Sequence, residues 1–302
     1  MKKLALLGMV LASLILGCTG VLAGESYVVA SDVPWAPFEM ASDDGGFFGF
    51  DLDLIQAIAW TAGFEVEIRN IAFDAIVEMV RTGTIDIGAS GMTITPERAA
   101  TVDFSQPYYL SNQAVVVTKD SGVNLVSALT GNGPKGAVGA QNATSGFWWA
   151  EDNLLSDYNV DLHGYETYPS AVLDLVNGRI DAVIQDEPAS QASLAAYPET
   201  LKIAGIINTQ EYFGFLVQQG DPSGLLPKIN AALSDLGLTV ETSAGGVQTL
   251  TIAPGSFVEG LTEIYFGPDL DDVTAAWSAC KDLLLSGDLE AYVAAMKDEL
   301  GL

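Results

Sequence analysis

Histidine is nearly absent: His163 is the only one in 302 residues. A Ser-His-Asp set or a histidine-based metal site therefore has one residue to draw on, and it lies outside every motif described below. Cysteine is scarce too, with Cys18 and Cys280 alone. If Cys18 is removed or modified, Cys280 has no partner and reads as a small apolar helix residue rather than half of a disulfide. Basic residues number 12 against 39 acidic ones, a formal net charge of −27. That balance disfavours nucleic acid and anionic lipid as electrostatic partners and points to neutral, cationic or locally steered ligands. Also missing are internal repeats, low-complexity linkers, zinc-type spacings and, beyond the N-terminus, any apolar run long enough to span a bilayer. The acid runs at Glu151-Asp152 and at Asp269, Asp271 and Asp272 lack ligand regularity and read as solvated faces, so neither a metal nor a cofactor is expected.

What is present is apolar: 49% of residues are hydrophobic and 17% charged, enough for one large or two medium domains. Lys2 and Lys3 precede an apolar run from Leu4 to Leu16, short for a membrane span and right for a signal-peptide core. The run ends in Ile15-Leu16-Gly17-Cys18, which resembles the lipobox of exported lipoproteins. Residues 1–17 then form a leader and Cys18 carries lipid, anchoring the exported chain to the outer face of a membrane or in the periplasm. A rival, A-x-A-like cleavage site at Val21-Leu22-Ala23 would discard Cys18.

Strand and helix signals alternate from there. Tyr27 to Ala30 reads as a buried strand, Asp51 to Ala62 as an amphipathic helix stopped by Gly63, Phe64 to Ile68 as a strand, Phe73 to Arg81 as a helix, and Ile85 to Ala89 as a strand. After an apolar β-branched run at Ala114 to Thr118 the alternation restarts: strand at Ala137, helix from Gly146, strand at Tyr165, helix from Ser170, strand from Asp181. An apolar strand at Phe213 to Val217 and a helix at Leu225 to Leu236 follow. This is α/β architecture with largely parallel sheets, and the restart implies a second lobe. Open sheets of this kind bind ligands beyond their strand ends, which is where Asp32, Ser90, Gln141 and Asp186 fall.

One residue breaks the local rules. Thr95 is a good N-cap, Pro96 suits the first helical position and Glu97 suits the dipole, but Arg98 places a cation in the first turn. That costs roughly a few tenths of a kcal/mol unless the side chain reaches solvent or an anion is close by.

The strings "YVVASDVPWAPFEM", "GFFGFDLDLIQAIA", "GTIDIGASGMTITPERAATVDFSQPYY" and "GRIDAVIQDEPA", in this order over Tyr27 to Leu236, closely resemble the family 3 extracellular solute-binding proteins of ABC importers, the polar amino-acid binders. The resemblance implies a two-lobed clamshell of the periplasmic binding protein type II, each lobe a central sheet flanked by helices, joined by two hinge strands. Lobe one would comprise 25–114 and 213–240 and lobe two 115–212, with crossings near Gln113 to Thr118 and Glu211 to Val217. It implies a monomer that closes around a free amino acid and hands it to a membrane permease.

The same resemblance distributes roles. Arg98 would grip the ligand carboxylate as a bidentate fork, with Ser90, Gly91 and Thr93 supplying a carbonyl, an amide and a hydroxyl to the ligand's α-ammonium and carboxylate. Asp186 in lobe two would accept the ammonium, which cannot be buried without a matching charge. Trp35 and Phe73 would sandwich the side chain, and Asp32 would touch its distal end. In "QNATS", Gln141, Thr144 and Ser145 stand for a lobe-two turn that lends amides and a hydroxyl, although Ala143 occupies a position where glycine is common. Gln185 would line the side-chain pocket. Taken one by one, these residues also read as core aromatics, strand-end turns and loop hydroxyls; their joint spacing is what groups them.

Residues 241–302 exceed the family's usual length. Thr239 to Pro268 is rich in Gly, Thr and Ser, and Asp271 to Leu285 and Asp288 to Leu300 read as amphipathic helices, either packed on the back of lobe one or presented to a partner. The leading function is capture of a polar or basic amino acid for transport. Two alternatives stay open: a dehydratase-type enzyme on the same scaffold, which would need Glu39 or Asp32 as its acid, and a sensory module that presents ligand to a receptor.

Overall fold

Val29 and Ala30 are fully buried in the strand β1 (Ser26–Ser31), which lies inside the sheet of lobe one with a parallel neighbour on each side. The computed structural model describes residues 25–245 and 248–302, so the leader, Cys18 and the Ala23 site lie outside the described residues. After a short hairpin, β2 (Met40–Ala41) and β3 (Phe47–Phe48), comes α1 (Phe50–Ala62). Its Leu52, Ile55 and Ile58 are buried, and Gly63, at φ 78, closes it by donating back to the carbonyls of Ala59 and Trp60. Then follow β4 (Glu65–Asn70), α2 (Phe73–Arg81), β5 (Ile87–Gly88), the single turn α3 (Pro96–Ala99) and β6 (Val102–Phe104).

The long strand β7 (Tyr109–Thr118) carries the chain into lobe two. That lobe contains α4 (Leu125–Leu129), β8 (Ala137–Gln141), α5 (Ser145–Leu154), β9 (Asp161–Tyr165), α6 (Tyr168–Val176), β10 (Ala182–Asp186) and α7 (Glu187–Ala196). Strand β11 (Leu201–Phe213) runs back beside β7 and leads into β12 (Leu216–Gln218) and α8 (Leu225–Asp235) of lobe one. The two sheets have the orders β4-β1-β5-β12-β6 and β11-β7-β10-β8-β9. This is the two-lobed α/β clamshell with two crossing strands.

Both sheets are mixed, not largely parallel as the alternation suggests. β12 is antiparallel to β5 and β6, and β7 is antiparallel to β10 and β11. The strands that enter from the other lobe run against the βαβ units they join. Several short elements also escape a periodicity argument: β6 and α4 are too brief, and α7 buries only Ala189 and Ser190, leaving no apolar stripe.

The C-terminal segment forms a hairpin, β13 (Leu238–Thr242) and β14 (Gln248–Ile252), then α9 (Phe257–Tyr265), α10 (Leu270–Leu285) and α11 (Leu289–Leu300). Its Leu261, Ile264, Trp277, Cys280 and Met296 share one buried cluster with Ile55 and Ile58 of α1. Trp277 stacks on Phe48 with ring centroids 4.6 Å apart. Asp53 in the first turn of α1 accepts hydrogen bonds from Tyr265 and Tyr292, each 2.5 Å long. Burial drives its carboxyl up to about 7 despite both phenols. Those two bonds fasten the extension to lobe one. Tyr292→Phe removes one of the two donors to Asp53 Oδ2 while Tyr265 keeps the other, so urea unfolding should show a loss of about 1 kcal/mol.

Candidate functional site

Five strand ends and helix starts converge between the lobes. Asp32 follows β1, and Ser90 follows β5; the Asp32 amide donates to Ser90 Oγ at 3.0 Å. Gly91 sits at φ 52, and a Cβ there would fall 2.2 Å from the Trp35 ring, so only glycine fits. Its amide donates to Asp51 Oδ2 at 2.7 Å, tying the loop to α1. From lobe two come Gln141 at the end of β8, Thr144 as the N-cap of α5, Ser145 beside it, and Asp186 at the end of β10.

Together these line one narrow cavity with a free volume of about 10 Å³, the room of a single water, whose walls are Asp32, Trp35, Phe73, Ser90, Gly91, Thr93, Gln141, Thr144, Ser145, Tyr168 and Asp186, so a larger ligand enters only as the lobes part. Tyr168 escaped the sequence reading, although Thr167 before it is the N-cap of α6 and marks another strand end. Its ring stacks toward Trp35 at 6.3 Å, one aromatic from each lobe. Its hydroxyl donates to Thr144 Oγ1 at 3.2 Å.

Two expected residues stand apart. Gln185 does not line the cavity. Strand alternation sends its side chain to the opposite face from Asp186, where Nε2 donates to Ser193 Oγ at 2.9 Å. Arg98 is only 3% exposed but lies behind the cavity wall, with Nη1 donating to the Thr93 carbonyl and Nη2 to the Ala143 carbonyl, both at 2.9 Å. The rings of Phe73 and Trp148 cover it at 5.4 and 5.1 Å. Burial pulls its pKa down to about 10, against the charges of Glu211 and Asp186, and its Nε has no hydrogen-bond partner. Ala143, in the place of a common glycine, adopts φ 61, the left-handed conformation that glycine takes without strain. Glu39 is fully buried away from the cavity, its carboxyl held well above the usual range by burial and by Asp51. An acid acting on a ligand would therefore have to be Asp32 or Asp186.

The lobes meet through Arg98 with Ala143, Thr93 with Ser145 at 3.2 Å, and Asp32 with Gln141, whose Nε2 donates to Oδ2 at 2.6 Å. Burial raises the Asp32 pKa, and the Gln141 amide opposes the rise. Asp186 is pushed up to about 8, by burial first and then by the Glu211 charge; its Oδ1 has no partner.

A closed cleft between two hinged lobes, polar at its ends and aromatic in its walls, defines a binding protein that encloses a small ligand. Residues 27–242 match the bacterial extracellular solute-binding proteins, family 3, and the chain belongs to that family. The ABC transporter arginine-binding protein 1 of Escherichia coli (strain K12) is 32% identical over 238 residues, covering 78% of this chain and 93% of its own. An ancestral arginine-binding protein solved with arginine bound has a TM-score of 0.68 and 31% identity, covering 81% of this chain and 100% of its own. An ancestral amino acid-binding protein described as a precursor of cyclohexadienyl dehydratase has a TM-score of 0.64 and 30% identity, covering 80% and 95%.

The cross-lobe bonds favour the closed arrangement, and Gln141→Ala removes one of them. Small-angle scattering should then report a larger radius of gyration, with the open population raised about tenfold, the equivalent of one hydrogen bond. An unchanged radius would show that this bond contributes nothing to closure.

Proposed function

We propose that the protein captures a polar or basic L-amino acid by hinge closure outside the cytoplasm and delivers it to an ABC transporter permease. The observation that carries this is the closed cavity bearing Asp32 and Asp186, two buried carboxyls whose ionisation burial disfavours and a cationic ligand would restore. Among polar amino acids that favours the basic ones, arginine first, in keeping with the arginine-binding relatives. Trp35, Phe73 and Tyr168 suit a flat guanidinium stem, and Arg98 is the cation for the ligand carboxylate once its Nη groups let go of the backbone. Cys18 is the proposed site of lipid attachment, and the protein is proposed to work as a monomer.

A second reading, a dehydratase-type enzyme, has one observation behind it: the likeness to the dehydratase precursor. Turnover of a prephenate-like or arogenate-like acid would establish it.

A thermal-shift screen of the twenty amino acids tests the main reading. A ligand at 100 times its dissociation constant should add about 2.7 kcal/mol of stability, and no shift with any amino acid would sink it. Arg98→Ala should abolish the shift while the apo protein still melts cooperatively. The charge balance predicts a further result. In the empty cleft Asp186 holds its proton up to about pH 8; an ammonium beside it favours the carboxylate, so binding at neutral pH should release a proton. Affinity should rise between about pH 6 and pH 8 and level off above. Calorimetry in buffers of different ionisation enthalpy reads this directly, and Asp186→Asn should remove the buffer dependence.

A further inference from the structure

Glu211 stands next to the cavity without being one of its walls. It lies on the crossing strand β11, 8% exposed. The pairing of β11 with β7 slips just before it: Ile207 faces Gln113 and Glu211 faces Ser111, so residues 208–210 stand opposite Asn112 alone. Gln210 takes φ 51 within this bulge, and its amide is held by Asn112 Oδ1 at 3.2 Å. Bulges of this kind re-aim the side chain that follows, and here that side chain is turned into the joint between the lobes.

Its hydrogen bonds are specific. Oε1 accepts from Gln113 Nε2 at 3.1 Å. Oε2 accepts from Thr93 Oγ1 of lobe one at 2.9 Å and from Ser145 Oγ of lobe two. A hydroxyl has one proton and two lone pairs. The two hydroxyl oxygens also lie 3.2 Å apart, and whether each proton goes to Glu211 or one passes between the hydroxyls, both protons are used within this cluster, so Thr93 and Ser145 have only lone pairs left to present. Both residues line the cavity, as does Asp186 with its partnerless Oδ1. Once an ammonium beside Asp186 draws off the proton that burial holds there, this part of the wall is built of acceptors and lacks a side-chain donor.

We propose that Glu211 is a specificity-determining residue of the cleft: by taking the protons of Thr93 and Ser145 it converts both into acceptors, so that with Asp186 they select an ammonium group. An ammonium offers three N–H donors for these three acceptors, whereas a carboxylate finds no hydroxyl proton there. The ligand carboxylate must then rely on Arg98 and on backbone amides. This inference rests on the reading of the cavity as an amino-acid site.

Glu211→Gln reverses the polarity with little change of shape. Because Gln113 Nε2 claims the oxygen at Oε1, the new amide NH2 falls where Oε2 was, against the two hydroxyls, whose protons then turn to the cavity. The probes are L-arginine and 5-guanidinopentanoate, which keeps the carboxylate and guanidinium but lacks the α-ammonium. Calorimetry should give E211Q an arginine affinity at least about tenfold below wild type, the scale of a charged hydrogen bond, while 5-guanidinopentanoate stays within about threefold. If wild type does not hold 5-guanidinopentanoate, the arginine ratio decides, with an unchanged apo melting temperature required. Arginine binding within threefold of wild type, or equal losses for both probes, overturns the proposal while leaving amino-acid capture standing. Failure of wild type to bind arginine removes both. Should E211Q not fold, Ser145→Ala keeps Glu211 and deletes one acceptor; it must show the same preference of loss for arginine, and an equal loss for both probes overturns the proposal.

Discussion

A guanidinium withdrawn from water at the seam between two lobes is the constraint around which the site is organised. Left alone, the Arg98 charge would cost several kcal/mol to bury. It is matched by carbonyls from both lobes, by aromatic faces from Phe73 and Trp148, and by the charges of Glu211 and Asp186. Half of these partners belong to lobe two, so Arg98 is fully enclosed only when the cleft is shut. The local chain bends to the same requirement. Thr95 caps the amide of Arg98 and fixes its position in the turn, while Ala143 accepts a left-handed backbone that sets its carbonyl toward Nη2. The dipole objection to a cation here shrinks as well, because α3 ends at Ala99 after one turn and sums few peptide dipoles.

Closure also passes through the crossing strands, and there the extension takes part. Tyr109 begins β7 and Phe213 ends β11; their rings stack at 5.7 Å, and Phe266 at the end of α9 stacks on Tyr109 at 5.1 Å. Phe38 and Phe50 meet the same rings edge-on. A hinge that moves must slide or rotate within this aromatic set, so residues far along the chain bear on it. The extension is therefore continuous with the core of lobe one at its α1 face and in contact with the hinge at its α9 end. Proximity to the hinge distinguishes it from a module tethered by a linker.

Much of this was legible in the sequence because it depends on local signals. Gly63 as a helix stop, Thr95 with Pro96 as a helix start, and Asp32, Ser90, Gln141 and Asp186 as strand ends are each written in a few neighbouring residues, and the cavity gathers those strand ends. Gln185 falls on the other side because the strand that begins near Asp181 runs through Asp186 and sends the adjacent pair to opposite faces. Glu211 and Trp148 had no such signal. One is aimed by a bulge whose register no spacing rule encodes, and the other is a helix aromatic whose partner charge comes from the opposite lobe. Strand direction was lost for a related reason: alternation reveals βαβ units, but not the antiparallel strands that pass between lobes.

The acidity of the chain takes on a local meaning at the cleft. Asp32 and Asp186 lie in the cavity wall with Glu211 behind them, while Arg98 is the one buried cation among them. Burial makes each additional negative charge harder to hold, which is why Asp186 keeps its proton to about pH 8. Such a site is electrostatically unfinished when empty. A cation entering it recovers the ionisation that burial suppresses, and an anion meets the same carboxylates as repulsion. The deficit of positive charge in the sequence, 12 basic residues against 39 acidic ones, is thus concentrated at one seam.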